Sequence, residues 1–290
     1  MSDAPLHTTH NLGSARCRAL PIFLTWVLGL TACHTLDHRE PLESEILRGT
    51  EFNHRIFYRR PGDATTLSVF IDGDGSPWLD HGTRIAADPT PRHPLALDLA
   101  SRTPGAVLYL ARPCAFGTLH EVSCNADVWT SGRYSEQVIE SMAAAINRYT
   151  AHHGIRNVLL IGYSGGGTLG VLIAPHVPTT RAVLTISANL DSAAWTAWHQ
   201  YLPLEKSLDA AQQPALPRSI SEWHIVGAKD RNVPVEINRE YWARVPSSHI
   251  WIYLNADHAC CWVRLWPQIW ARLQTELAEA SATAVTQSPR

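Results

Sequence analysis

The chain of 290 residues has very little lysine: Lys206 and Lys229 are the only two. Its positive charge is otherwise arginine, a matter of composition from which no function follows. It also lacks net positive charge, with 24 Lys+Arg against 26 Asp+Glu and a formal charge of −2. With no basic run either, nucleic acid is not expected as a main partner. Charged residues make up only 17% and hydrophobic ones 45%, the balance of a folded chain rather than a disordered one. No repeat recurs at a solenoid period. The apolar run Ala19–Leu30 rises ~18 Å as a helix, too short for a bilayer core of ~30 Å. The length suits one large α/β domain, or at most two small ones.

What is present begins with an address. Arg16 and Arg18 precede ALPIFLTWVLGL, and small residues follow, which describes a secretory signal over residues 1–32. The run ends in Leu30-Thr31-Ala32-Cys33, which resembles the lipobox of bacterial lipoproteins. That resemblance implies lipidation of Cys33 as the first residue of a mature chain of 290 − 32 = 258 residues. A non-Asp residue next, His34, implies the outer membrane, facing the periplasm. Two or three acyl chains anchor stably, since each buried CH₂ contributes ~0.8 kcal/mol. The alternative is an ordinary signal peptide that contains a cysteine; the long polar stretch before Arg16, with Asp3, departs from either pattern. Residues 33–50 read as a linker to the domain.

Export permits disulfides. Beyond Cys17 and Cys33, four cysteines remain: Cys114, Cys124, Cys260 and Cys261. Three connectivities are open. Cys114–Cys124 is preferred, because closing that short loop contributes roughly 2–3 kcal/mol. Cys260-Cys261 is a vicinal pair, two free thiols, or partner to the others. The spacings do not fit a zinc ribbon, and no metal or cofactor is expected.

Strands and helices then alternate. Thr66–Asp72, Ala106–Leu110, Val158–Tyr163, Ala182–Ser187, Ser221–Gly227 and Ile250–Leu254 read as strands. Ser135–His152 carries Val138, Ile139, Met142, Ala145, Ile146 and Tyr149 at helical spacing, and Thr168–His176 and Cys261–Ala278 read as further helices. The pattern predicts an α/β fold with a mostly parallel sheet covered on both faces. Residues 51–278 form that domain, and the small polar stretch 279–290 reads as a disordered tail.

The chemistry lies at strand ends. Gly162-Tyr163-Ser164-Gly165-Gly166 fits Gly-x-Ser-x-Gly between an apolar strand and a helix, the context a nucleophilic serine on a strained turn requires. Larger residues two positions away would collide with that turn. The bland reading is a glycine-rich turn with an incidental serine; a phosphate loop is excluded because no lysine follows. Here the chain resembles the α/β-hydrolase superfamily, over nearly all of 50–278. The resemblance implies a triad in the order serine, acid, histidine. Gly227-Ala228-Lys229-Asp230-Arg231-Asn232-Val233-Pro234 matches the family's Gly-x-x-Asp-x-x-Val-Pro habit and picks Asp230. Asn255-Ala256-Asp257-His258 follows the last strand and picks His258. Asp191 is the rival acid and Asp257 a turn residue. His224 and His176 read as structural, and His249 precedes the last strand.

The family's oxyanion hole implies the N–H of Gly165 and that of Asp74, from the loop Asp72-Gly73-Asp74-Gly75. That loop departs from the frequent His-Gly, and an acidic side chain at 74 repels an oxyanion unless turned away or neutralised. The bland reading is a tight turn or a calcium loop with too few ligands. With Asp88-Pro89-Thr90-Pro91-Arg92-His93-Pro94, Arg112-Pro113-Cys114 and Asp257-His258, the chain also resembles a group of proteobacterial α/β-hydrolase lipoproteins. The proline-rich stretch is stiff and walls the site; Arg92 clamps a substrate anion or sits in a structural ion pair. Ser187–Pro217, with Trp195 and Trp198, makes a small cap, and those two with Trp78 and Trp129 line a pocket or fill the core. The function implied is a serine hydrolase acting on a small-molecule acyl ester, membrane-anchored at Cys33, with a peptidase as its variant. The alternative is a non-catalytic envelope binding protein on the same fold.

Overall fold

The computed structural model describes residues 41–243 and 249–286. The signal segment 1–32 and Cys33 lie outside the described residues. In chain order the strands are β1 (Glu43–Arg48), β2 (Asn53–Arg59), β3 (Thr66–Ile71), the short pair β4 (Trp78–Leu79) and β5 (Arg84–Ile85), β6 (Val107–Leu110), β7 (Asn157–Tyr163), β8 (Thr180–Ile186), β9 (Ser221–Gly227) and β10 (His249–Tyr253). The helices are α1 (Leu95–Arg102), α2 (Glu136–His153), α3 (Gly165–Ile173), α4 (Ser192–His199), α5 (Arg239–Ala243) and α6 (Trp262–Thr286).

Eight strands form one sheet in the order β1-β2-β6-β3-β7-β8-β9-β10. From β6 through β10 every neighbour is parallel; only β1 and β2 run antiparallel to their partners. A parallel sheet needs helices on both faces, and its central strands are apolar on both. Strand β7 meets this demand by alternation. Val158 and Leu160 pack with Val138, Ile139 and Met142 of α2 and Leu169 of α3. Leu159 and Ile161 pack on the other face with Leu99 of α1 and Trp262, Trp266 and Ile269 of α6. Each fully buried Leu or Ile contributes roughly 1.5–3 kcal/mol. Ser135 caps α2 by accepting the Val138 N–H at 3.4 Å, and Gly154 ends it at φ 67°.

The sequence expectation is corrected at three places. Residues 43–48 of the expected linker form β1, paired with β2 from Glu43↔Tyr58 to Arg48↔Asn53. Its mostly exposed edge position leaves no apolar signature. Helix α6 continues through the first part of the expected tail to Thr286. Small and polar as that stretch is, Ala278, Glu279, Ala280 and Ala282 are good helix formers and no glycine or proline interrupts them. Helix α3 begins at Gly165, three residues before the expected start, so the glycines after Ser164 are its first turn.

The C-terminal ends of β3, β7, β9 and β10 share one edge of the sheet. The loops leaving them carry Asp72–Gly75, Ser164, Asp230 and His258. Sites of open α/β sheets form at this edge.

Candidate active site

Ser164 sits between β7 and α3 at φ 51° and ψ −128°, backbone that a non-glycine residue holds only under constraint. The constraint is visible. Its N–H donates to Ile186 O at 2.8 Å, and its carbonyl accepts the Gly167 N–H at 2.8 Å. A Cβ on Gly166 would run into the Ile71 and Asp72 carbonyls, and one on Gly162 into the Gly166 backbone. The glycines therefore let strand β3 and the serine turn approach closely.

Asp230 and His258 reach this turn from two other loops. The Asp230 loop is tied to the His258 loop by Ala228 N–H to Tyr253 O and Lys229 N–H to Ala256 O, both 3.0 Å. Asp230 Oδ1 accepts the N–H groups of Asn232 (2.9 Å) and Val233 (2.8 Å), which turns Oδ2 towards the ring. His258 Nδ1 donates to Asp230 Oδ2 at 2.9 Å, and Nε2 accepts from Ser164 Oγ at 3.1 Å. The Asp230 side chain is 1% exposed and that of His258 21%, so the acid is dry and the base reachable. Trp262 Nε1 of α6 donates to His258 O at 2.9 Å, and the Tyr163 ring lies 5.3 Å from the imidazole. A carboxylate that accepts from Nδ1 fixes the tautomer in which Nε2 is the proton acceptor.

The Asp74 carboxylate is engaged by three side chains. Oδ1 accepts from Arg112 at 2.6 Å and Tyr134 at 2.9 Å, and Oδ2 from Arg133 at 2.5 Å. Arg112 also donates to Arg133 O at 2.7 Å. Burial pushes the Asp74 carboxyl up, but the two guanidiniums outweigh it and hold the group down at about 2. One carboxylate between two guanidiniums leaves the cluster with a net positive charge. Among the described residues the backbone N–H groups of Asp74 and Gly165 have no acceptor, and Gly73 packs against Ser164. The neighbouring Asp72 is pushed up to about 6 by burial, despite accepting the N–H of Gly73 and of Ala96.

A cavity of about 570 Å³ opens beside the serine and histidine loops. Tyr163 and Ala259 line it, with Phe57, Leu95, Arg92 and His93. Arg92 has no ion-pair partner among the described residues, so the structural ion pair is not observed. Among the described residues there is also no cluster of metal-ligating side chains.

No family model matches the sequence, and no curated protein matches it either. Solved structures do. An Agrobacterium tumefaciens protein of unknown function, described as an α/β hydrolase, superposes with a TM-score of 0.58 at 12% identity, over 82% of this chain and 97% of its own. A Pyrococcus furiosus esterase gives 0.60 at 13% identity, over 82% and 90%. A puromycin-hydrolysing peptidase of Mycobacterium tuberculosis gives 0.54 at 14%, over 79% of this chain but 38% of its own. The chain has the α/β-hydrolase fold. Within that fold Ser164 takes the strand-to-helix turn after β7, Asp230 the loop after β9 and His258 the loop after β10.

The rival residues lie elsewhere. Asp191 caps α4 by accepting the Ala194 N–H at 2.7 Å, and the carboxylate on the His258 ring is that of Asp230. Asp257 Oδ1 accepts the N–H groups of Ala259 and Cys260 in a turn. His224 is buried in β9 against Thr185 at 2.8 Å, His176 ends the turn after α3, and His249 stacks on Trp223 at 5.0 Å. Of the four tryptophans, Trp195 is buried and donates to Asn232 O at 2.9 Å, while Trp198 and Trp78 are exposed. Cys114 and Cys124 are joined, as are Cys260 and Cys261. Sequence reasoning missed Arg133, Tyr134 and Asn232. The first two act on a residue about 60 positions away, and only the spacing of Asn232 from Asp230 offered a local signal.

Proposed function

We propose that this chain is a serine hydrolase that cleaves a carboxylic ester through an acyl-enzyme. The carrying observation is the continuous hydrogen-bonded line from Asp230 Oδ2 through the imidazole of His258 to Ser164 Oγ, at 2.9 and 3.1 Å. As Oγ bonds the carbonyl carbon, its proton passes to Nε2, and the carbonyl oxygen becomes an oxyanion. The N–H groups of Gly165 and Asp74 receive it, each contributing ~3–4 kcal/mol to the transition state. The imidazolium then protonates the departing alkoxide, and water activated by His258 releases the acid. Asp230 holds the ring and stabilises its charge throughout. The net positive Asp74 cluster turns an acid that would oppose the oxyanion into part of a favourable field. The cavity beside Tyr163 and Ala259 accommodates the acyl chain.

The same reading places the enzyme in the bacterial envelope, anchored by lipid at Cys33 and facing the periplasm, as a member of the proteobacterial group its sequence resembles. The test is a panel of p-nitrophenyl esters of increasing acyl length, followed in the pre-steady state. A burst of nitrophenol equal to the enzyme concentration is expected for at least one ester. Ser164→Ala and His258→Ala should each lower kcat by about 10⁶. Folded protein that gives no turnover across the panel, or variants that turn over as well as wild type, would favour a binding protein on the same fold.

A further inference from the structure

One contact at the relay is not explained by the three residues themselves. The side-chain amide of Asn232 stands against the same imidazole nitrogen as the serine, with Nδ2 at 3.0 Å from His258 Nε2. Asn232 is itself firmly placed. Its backbone N–H donates to Asp230 Oδ1 at 2.9 Å, and its carbonyl accepts from Trp195 Nε1 at 2.9 Å and from the His199 ring at 2.7 Å. All three bonds are made by the backbone, so the side chain can change without undoing them. Its Oδ1 has no hydrogen-bond partner among the described residues. The amide plane can therefore turn over without breaking another protein hydrogen bond.

We propose that Asn232 is a fourth working group of the relay, resting on the hydrolase reading above. An N–H donor towards Nε2 favours the neutral ring, the form able to accept a proton. Once the Ser164 proton has moved to Nε2, that nitrogen is a donor, and the Nδ2 group opposes it. Half a turn of the amide presents Oδ1, which accepts from the imidazolium. The proton count is unchanged: one proton leaves Oγ, one arrives at Nε2, and the amide exchanges only its hydrogen-bond polarity. Asn232 thus donates to the ring before proton transfer and accepts from it while the proton waits for the leaving group.

The other groups facing the ring are accounted for. Asp230 from the β9 loop holds Nδ1, Ser164 holds Nε2, and the Tyr163 ring lies alongside. Burial pushes the Tyr163 hydroxyl well up, so it stays neutral. Asp257, the preceding residue, spends Oδ1 on backbone N–H groups of its own turn. Asn232 is then the neutral polar side chain whose replacement by Ala or Gln alters Nε2 without adding or removing a charge.

The experiment is the pH dependence of the second-order rate at which a fluorophosphonate inactivates full-length wild type, Asn232→Ala, Asn232→Asp and Asn232→Gln, with each fold checked by circular dichroism and Tm. A phosphonylation rate reads the Ser164–His258 pair without knowledge of the natural substrate. The bond that the turned amide accepts from the imidazolium is charge-assisted and outweighs the one it donates to the neutral ring, so the acidic limb is expected to move to lower pH in Asn232→Ala by a few tenths of a unit. In Asn232→Asp, where a carboxylate faces Nε2, it should move to higher pH by about one unit or more. The plateau should fall about 10-fold or more in Asn232→Ala and be partly restored in Asn232→Gln. Superimposable profiles in all folded proteins would overturn the inference while leaving the hydrolase reading intact. Absence of inactivation in wild type would instead remove the hydrolase reading, and the role of Asn232 with it.

Discussion

At the scale of single residues, the proposed oxyanion role of the loop after β3 depends on how the Asp74 carboxylate is held. Its carboxylate is held by Arg112 and Arg133, whose side chains are 11% and 6% exposed. Removing the acid leaves two buried guanidiniums without a counter-charge. Asp74→Asn is therefore expected to cost about 3–5 kcal/mol in urea unfolding at pH 7. The sign of its pH dependence follows from a folded value near 2, below the ordinary 3.8. The contribution is whole above about pH 4 and is lost as pH falls through about 2, and the amide variant should show no such acid loss. Ser164 gives a second prediction. Its φ of 51° costs a residue with a Cβ roughly 1–3 kcal/mol, and glycine escapes that cost. Ser164→Gly should unfold at higher temperature than Ser164→Ala, although both are expected to lack activity. Equal melting temperatures would remove strain from the account of the turn.

At the scale of elements, the loop from Cys114 to Cys124 rests on a covalent closure with a sequence separation of 10. Glu121 inside it accepts the Asn53 N–H of β2 at 2.9 Å, so the loop braces the strand that carries the edge strand β1. Replacing both cysteines by serine should lower stability by roughly 2–3 kcal/mol, measured by denaturant unfolding. Elements also show what was readable in the sequence. Strand β7 and the turn after it were legible because Val158–Ile161 is a continuous apolar run ending in correctly spaced glycines. The three side chains of the relay were legible because each lies in the loop after a strand, where the family that the sequence resembles carries its serine, acid and histidine. Strands β1 and β2 were not. Strand β1 is almost wholly exposed, and β2 buries a histidine, His54, where a hydrophobic residue would announce a strand. The supports of Asp74 and the amide on His258 were hidden for another reason. Their partners are 26 to 60 residues apart in the chain, and an ion pair or amide contact at that separation leaves no local pattern.

At the scale of the whole molecule, two buried groups on different elements set opposed pH slopes. His54, between β2, the loop after β6 and α2, is bonded through its ring nitrogens to Ala111 O at 3.1 Å and Ser141 Oγ at 3.0 Å. Burial lowers it to about 4 from an ordinary 6.5. The unfolded chain therefore takes up that proton first, and stability falls as pH drops from about 6.5 towards 4. Asp72, pushed up to about 6, acts in reverse, because the folded state holds its proton more tightly and stability rises as pH drops from about 6 to 4. The two contributions offset one another between about pH 4 and 6. Urea midpoints across that range should rise on acidification in His54→Gln and fall more steeply than wild type in Asp72→Asn. Parallel curves for all three proteins would contradict the opposed slopes.

The central claim is that the hydroxyl of residue 164 is the nucleophile that this scaffold activates. Intact-mass and peptide mapping after exposure to a fluorophosphonate tests it most directly. The account predicts one adduct per chain, located on Ser164, and its disappearance in Ser164→Ala and in His258→Ala. A folded wild-type protein that remains unmodified, or an adduct on another residue, would contradict it.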